Sequence, residues 1–106
     1  METIRVVYIS IPHDEADKMA LELVQQRFAA CINVVPRIKS YFWWDDAVQE
    51  DDESLLIVKT TQQKFAKLME YVIANHPYEL PEIIALPLAE GSAEYITWVK
   101  REVNRS

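Results

Sequence analysis

Cys31-Ile32-Asn33-Val34-Val35-Pro36-Arg37-Ile38-Lys39-Ser40-Tyr41-Phe42-Trp43-Trp44-Asp45 runs for fifteen residues with a period of two. Ile32, Val34, Pro36, Ile38, Ser40, Phe42 and Trp44 fall on one side, and Asn33, Val35, Arg37, Lys39, Tyr41 and Trp43 on the other. This reads as one long, bent strand. Pro36 has no N–H to give a ladder, so the strand is expected at a sheet edge or bulged there. Asp45-Asp46-Ala47 supplies turn residues, and residues 48–60 return through Glu50-Asp51-Asp52-Glu53 into the apolar run Leu55-Leu56-Ile57-Val58. The stretch predicts a long hairpin whose returning strand is buried on both faces at its far end.

Working outward, residues 4–11 (IRVVYISI) are apolar at almost every position and β-branched, a strand covered on both faces. Ala16, Met19, Ala20, Leu23, Val24 and Phe28 then recur at helical spacing, which predicts a helix over 14–28 ending near Arg27 or Phe28. Beyond the hairpin, Thr60 and Gln63 form a capping box, and Phe65, Leu68, Met69, Val72 and Ile73 mark a second helix stopped by Asn75-His76-Pro77. Pro81 and Pro87 bracket a short strand over 82–86. Gly91-Ser92 precedes a last helix in which Tyr95, Val99 and Val103 align. The order is strand, helix, strand, strand, helix, strand and an appended helix. That is an α+β, ferredoxin-like (βαββαβ, split βαβ) antiparallel sheet, expected as one domain over 1–106, with the first and third strands central.

The hairpin outruns its cover. Fifteen extended residues span about 50 Å, against roughly 22 Å for the helix packed on them. The overhang carries Tyr41, Phe42, Trp43 and Trp44, rings of about 150 to 250 Å² each that a monomer would leave in water. The strand over 82–86, with Ile83 and Ile84 at its centre, lacks charged residues along its middle and offers an edge for pairing. A closed homo-oligomer covering both is expected; the other available cover is the appended helix.

Composition narrows function. One glycine in 106 residues excludes Walker-type and Rossmann-type phosphate loops. Two histidines and one cysteine cannot make a Cys/His zinc cage or an intrachain disulfide, and a lone thiol suits the cytosol. A net charge of −6 argues against nucleic acid, with Arg37, Lys39 and Lys59 scattered rather than striped. No apolar run reaches the ~20 residues of a bilayer span, and residues 1–5 lead straight into a strand, so no membrane association or signal segment is expected.

His76, Glu79 and Glu82 lie within seven residues and could share a cation; equally, His76 could simply sit on the helix C-terminus. Cys31 reads as a small buried hydrophobe. His13 lies beside Asp14 and Glu15 with Ser10 nearby, but neighbouring turn residues rarely face one another and no glycine-built oxyanion loop exists. The Glu50–Glu53 run alternates across two faces and reads as a solvated arm. Trp43, Trp44 and Trp98 could stack a ligand, although aromatics on an overhang more often anchor an interface.

Ala29-Ala30-Cys31-Ile32-Asn33-Val34-Val35-Pro36, Ser40 with Trp43-Trp44, Leu56-Ile57-Val58-Lys59-Thr60, and above all His76-Pro77-Tyr78-Glu79-Leu80-Pro81-Glu82-Ile83-Ile84-Ala85-Leu86-Pro87, with Gly91, Tyr95 and Trp98, resemble the divalent-cation-tolerance protein CutA family. The likeness covers nearly the whole chain. It implies a ferredoxin-like homotrimer with long hairpins wrapping neighbours, cytosolic and without established enzymatic activity, binding copper and other divalent metal ions. By position, His76 is the implied metal ligand, with Glu79 beside it. Asn75 stands where some members have a second histidine and Tyr8 where some have a cysteine, so a soft copper site built from those ligands is incomplete here. Arg37, Asp46 and Ala47 stand where glycines and a lysine are frequent, so bend and turn must form without glycine.

Two other readings share the fold. A PII-like trimeric signalling module would bind a small anion, nucleotide or protein partner between subunits, but no glycine-rich or basic phosphate loop is present. An acylphosphatase-like hydrolase needs an arginine in the loop after the first strand, where Ile11-Pro12-His13-Asp14 has none.

Overall fold

A computed structural model describes residues 3–105. Its elements are β1 (Ile4–Ile11), α1 (His13–Gln25), β2 (Cys31–Trp44), β3 (Ala47–Thr61), α2 (Gln62–Asn75), β4 (Ile83–Pro87) and α3 (Ala93–Val103). The sheet order is β2-β3-β1-β4, every neighbouring pair antiparallel. The two strands that carry the continuous apolar runs, residues 4–11 and 55–58, are the central ones, and the expected topology holds.

One face of the sheet carries the main core. Val7, Ile9 and Ile11 of β1 lie level with Val58, Leu56 and Ser54 of β3, and α1 and α2 close over them with Met19, Leu23, Leu68 and Val72. α3 packs on β3 and β1, where its Val99 and Val103 are buried outside that cluster. Tyr95 of α3 lies beside Cys31, which the pleat turns away from α1 and α2 because its neighbour Ile32 packs against the main core. The appended helix therefore lies on the opposite face, over the sheet rather than over the hairpin arm. Cys31 is only partly buried, not the enclosed hydrophobe its sequence context predicts.

Local chemistry moves several boundaries. α1 ends at Gln25, earlier than its apolar spacing predicts: Arg27 N–H bonds Val24 O at 3.0 Å and Phe28 N–H bonds Leu23 O at 3.1 Å, while Arg27 takes φ 64°. This is a Schellman ending with arginine in the place glycine usually fills. The cap of α2 is Thr61, not Thr60. Thr61 Oγ1 accepts from Lys64 N at 3.3 Å, whereas Thr60 Oγ1 donates to Phe28 O at 2.6 Å.

The hairpin differs most from its sequence reading. The β2–β3 register shifts by one residue between Val35 and Ile38, so Pro36 sits in a bulge on an edge strand. One extra residue swaps the faces. Beyond the bulge Lys39, Tyr41 and Trp43 continue the side of Ile32 and Val34, while Ile38, Ser40, Phe42 and Trp44 join that of Asn33 and Val35. At the tip Trp44 pairs with Ala47, and Asp45 and Asp46 take φ 52° and 60°. Two positive φ angles are what a type I′ turn demands, here met without glycine. The molecule measures 44 × 26 × 22 Å.

Candidate functional site

The arm stands apart from the body, and a groove of about 960 Å³ opens between it and the loop 77–82 that follows α2. Tyr41, Phe42, Trp43 and Trp44 form its aromatic wall. Asp45, Asp51, Glu53, Glu79 and Glu82 supply carboxylates, and neither lysine nor arginine lines it.

Sequence explains how the loop is placed. Pro77 bars helical backbone at the residue before it, so His76 is extended (φ −89°, ψ 140°) and α2 stops. The imidazole turns back into the body, only 9% exposed. Its Nε2 lies 2.8 Å from Ser10 O at the end of β1, and its Nδ1 accepts the Tyr78 N–H at 3.1 Å. The Tyr78 ring packs 4.9 Å from it and sends its hydroxyl to Glu53 Oε2, 2.9 Å away on β3. Glu53 is 4% exposed. Burial, the bond to Glu53 and the nearby charges of Glu53 and Asp51 together hold the Tyr78 phenol well above its usual pKa. Across the groove floor Ser10 Oγ reaches Glu82 Oε1 at 3.5 Å.

The predicted site residues thus separate. Glu79 lines the groove; His76 lies behind it with both ring nitrogens engaged. Among the described residues no three His, Cys, Asp or Glu side chains are grouped to hold a metal ion. The aromatic arm is open to solvent, with Tyr41 65% and Trp43 74% exposed, and Phe42 and Trp44 exposed as well. On β4 the pleat divides the expected pair: Ile83 lies opposite Ile9 and packs, partly buried, against the core, while Ile84 is exposed. His13 finds its serine on β3 rather than at Ser10. Its Nδ1 lies 2.9 Å from Ser54 Oγ, which donates to Pro36 O, and the pair pins the start of α1 to the bulge. A serine whose proton is committed to a carbonyl is no nucleophile.

Residues 5–102 match the family model of the CutA1 divalent ion tolerance protein. The chain belongs to the CutA1 family. It is 51% identical over 96 residues to the divalent-cation tolerance protein CutA of Thermus thermophilus, covering 90% of this chain and 93% of that one. To the chloroplastic protein CutA 1 of Oryza sativa subsp. japonica it is 44% identical over 102 residues, 95% of this chain but 58% of that longer protein. The crystal structure of CutA1 from Oryza sativa superposes with a TM-score of 0.94 at 40% identity, covering 98% and 96% of the two chains. The CutA of Archaeoglobus fulgidus, described as a periplasmic divalent cation tolerance protein, does so with 0.90 at 36% identity, covering 98% and 100%. No helix among the described residues is long and apolar enough to cross a membrane.

Within this CutA1 chain, sequence reasoning found Glu79 and Glu82 but missed Glu53 and Asp51 as their counterparts across the groove. The signal available was the acidic run itself: the pleat places Asp51 and Glu53 on one face, level with Ser40 and Ile38.

Proposed function

We propose that this chain is a non-enzymatic, cytosolic member of the divalent-cation tolerance family that works as a homotrimer and binds divalent metal ions, copper among them, loosely through carboxylates. The observation that carries the reading is the groove: five carboxylates line it with no cationic side chain among them, a field that gathers cations. Glu79 is the principal ligand, with Glu82, Glu53 and Asp51 within the same lining. Oxygen donors without a free imidazole or thiolate favour readily exchanged binding of copper(II) over a tight soft site. Trimer formation follows from the arm. Four exposed rings, the open edge of β4 and its outward Ile84 and Leu86 are surfaces a second copy covers.

Calorimetric titration of metal-free protein with copper(II) and zinc tests this. Glu79→Gln is expected to weaken binding at least about tenfold without altering mass; unchanged affinity contradicts the assignment. The same lining disfavours the anion- or nucleotide-binding module, and saturable nucleotide binding in a parallel titration would reverse that preference.

A further inference from the structure

We propose that His76 is the strut that shapes the groove, and not a group that coordinates the cation. The inference rests on the cation-binding reading only for what enters the groove; the role of the ring rests on its own geometry. A backbone amide can only donate and a carbonyl can only accept. Tyr78 N–H on Nδ1 and Ser10 O at Nε2 therefore fix the imidazole as the neutral Nε2–H form, with no lone pair left for a metal.

The ring is also the middle of a continuous connection. From Ser10 at the end of β1 it passes through His76 to the amide and ring of Tyr78, and from the Tyr78 hydroxyl to Glu53 on the arm. Both walls of the groove hang on it. A metal at Nδ1 would take the lone pair that holds the Tyr78 amide; one at Nε2 would displace the proton bound to Ser10 O. Either would release the loop that carries Glu79 and Glu82. A cation entering the groove meets oxygen ligands while the strut stays intact behind them.

Glutamine at position 76 separates the two roles. Its amide both donates and accepts across a similar span, yet it is a poor ligand for copper or zinc. His76→Gln is expected to hold its melting temperature within about 2 °C and its copper affinity within about twofold, whereas His76→Ala loses roughly 5 °C or more. A His76→Gln protein that melts like wild type but binds copper at least about tenfold more weakly would overturn the proposal. So would glutamine and alanine variants that melt alike. Nitrogen-15 NMR of wild type gives an independent readout: the neutral Nε2–H signature is expected to persist when zinc is added, and a metal-shifted ring nitrogen contradicts it. Should wild type bind no divalent cation, the cation reading fails, and the strut is judged on the melting order and the tautomer.

Discussion

Arg27 shows how a single residue can hold two jobs. It takes the left-handed backbone that ends α1, and its Nη1 donates to both the backbone O and Oε1 of Glu102 at 3.0 Å, tying the α1–β2 turn to the end of α3. Arg101 and Arg105 reach the same carboxylate. Their hydrogen bonds and charges, Arg101 foremost, pull its pKa down against a smaller opposing effect of burial. Arg27→Ala keeps the strained backbone and loses the tie, an expected cost of about 1 kcal/mol in urea unfolding. Arg27→Gly relieves the strain while losing the same tie, so it is expected near wild type. An alanine variant as stable as wild type would show that the tie contributes nothing, and one as stable as the glycine variant that the left-handed backbone costs nothing. This helix ending was not legible in the sequence, because the usual signal is a glycine. The chain's one glycine, Gly91, is elsewhere, and none of the positive φ angles among the described residues falls on a glycine.

At the scale of elements, everything that depends on apolar periodicity was readable: seven elements, their order and the central placement of β1 and β3. What failed was counting through Pro36. The proline announced a bulge, but which residues faced which way beyond it depended on one extra residue that only the pairing with β3 reveals. The candidate site divides similarly. Glu79 and Glu82 could be found because they are local to the loop, but the partners of His76 and Tyr78 are Ser10 and Glu53, brought together by the sheet from distant parts of the chain.

The tether between loop and arm has a pH signature. The folded chain raises the Tyr78 pKa above its ordinary 10.0, so the stability it contributes is complete below pH 10 and declines as pH rises above it. Tyr78→Phe is expected to flatten that alkaline decline in a series of urea denaturations. A decline of the same slope in wild type and variant would place its origin in other groups. Tyr71 and Tyr95 also contribute to the wild-type slope. The first is raised mainly by its bond to Glu22, and the second is pushed up to about 12 by burial and by the neighbouring Cys31 thiol. The Tyr78 share is therefore the difference between the two curves.

For the whole molecule, the arm decides. Its rings are too large to leave in water and remain exposed with α3 in place, and each side of the sheet ends in an edge strand, β2 and β4. A joint Trp43→Ser and Trp44→Ser substitution removes the two largest anchors and is expected to produce smaller species at micromolar concentration while leaving the far-ultraviolet spectrum of the sheet intact. An assembly that survives the double substitution would move its interface elsewhere. The central claim is most directly tested by sedimentation equilibrium of the metal-free wild-type protein over a hundredfold dilution. A mass three times the 12.4 kDa chain at the upper concentrations is the expected result; a folded monomer at every concentration would contradict the account.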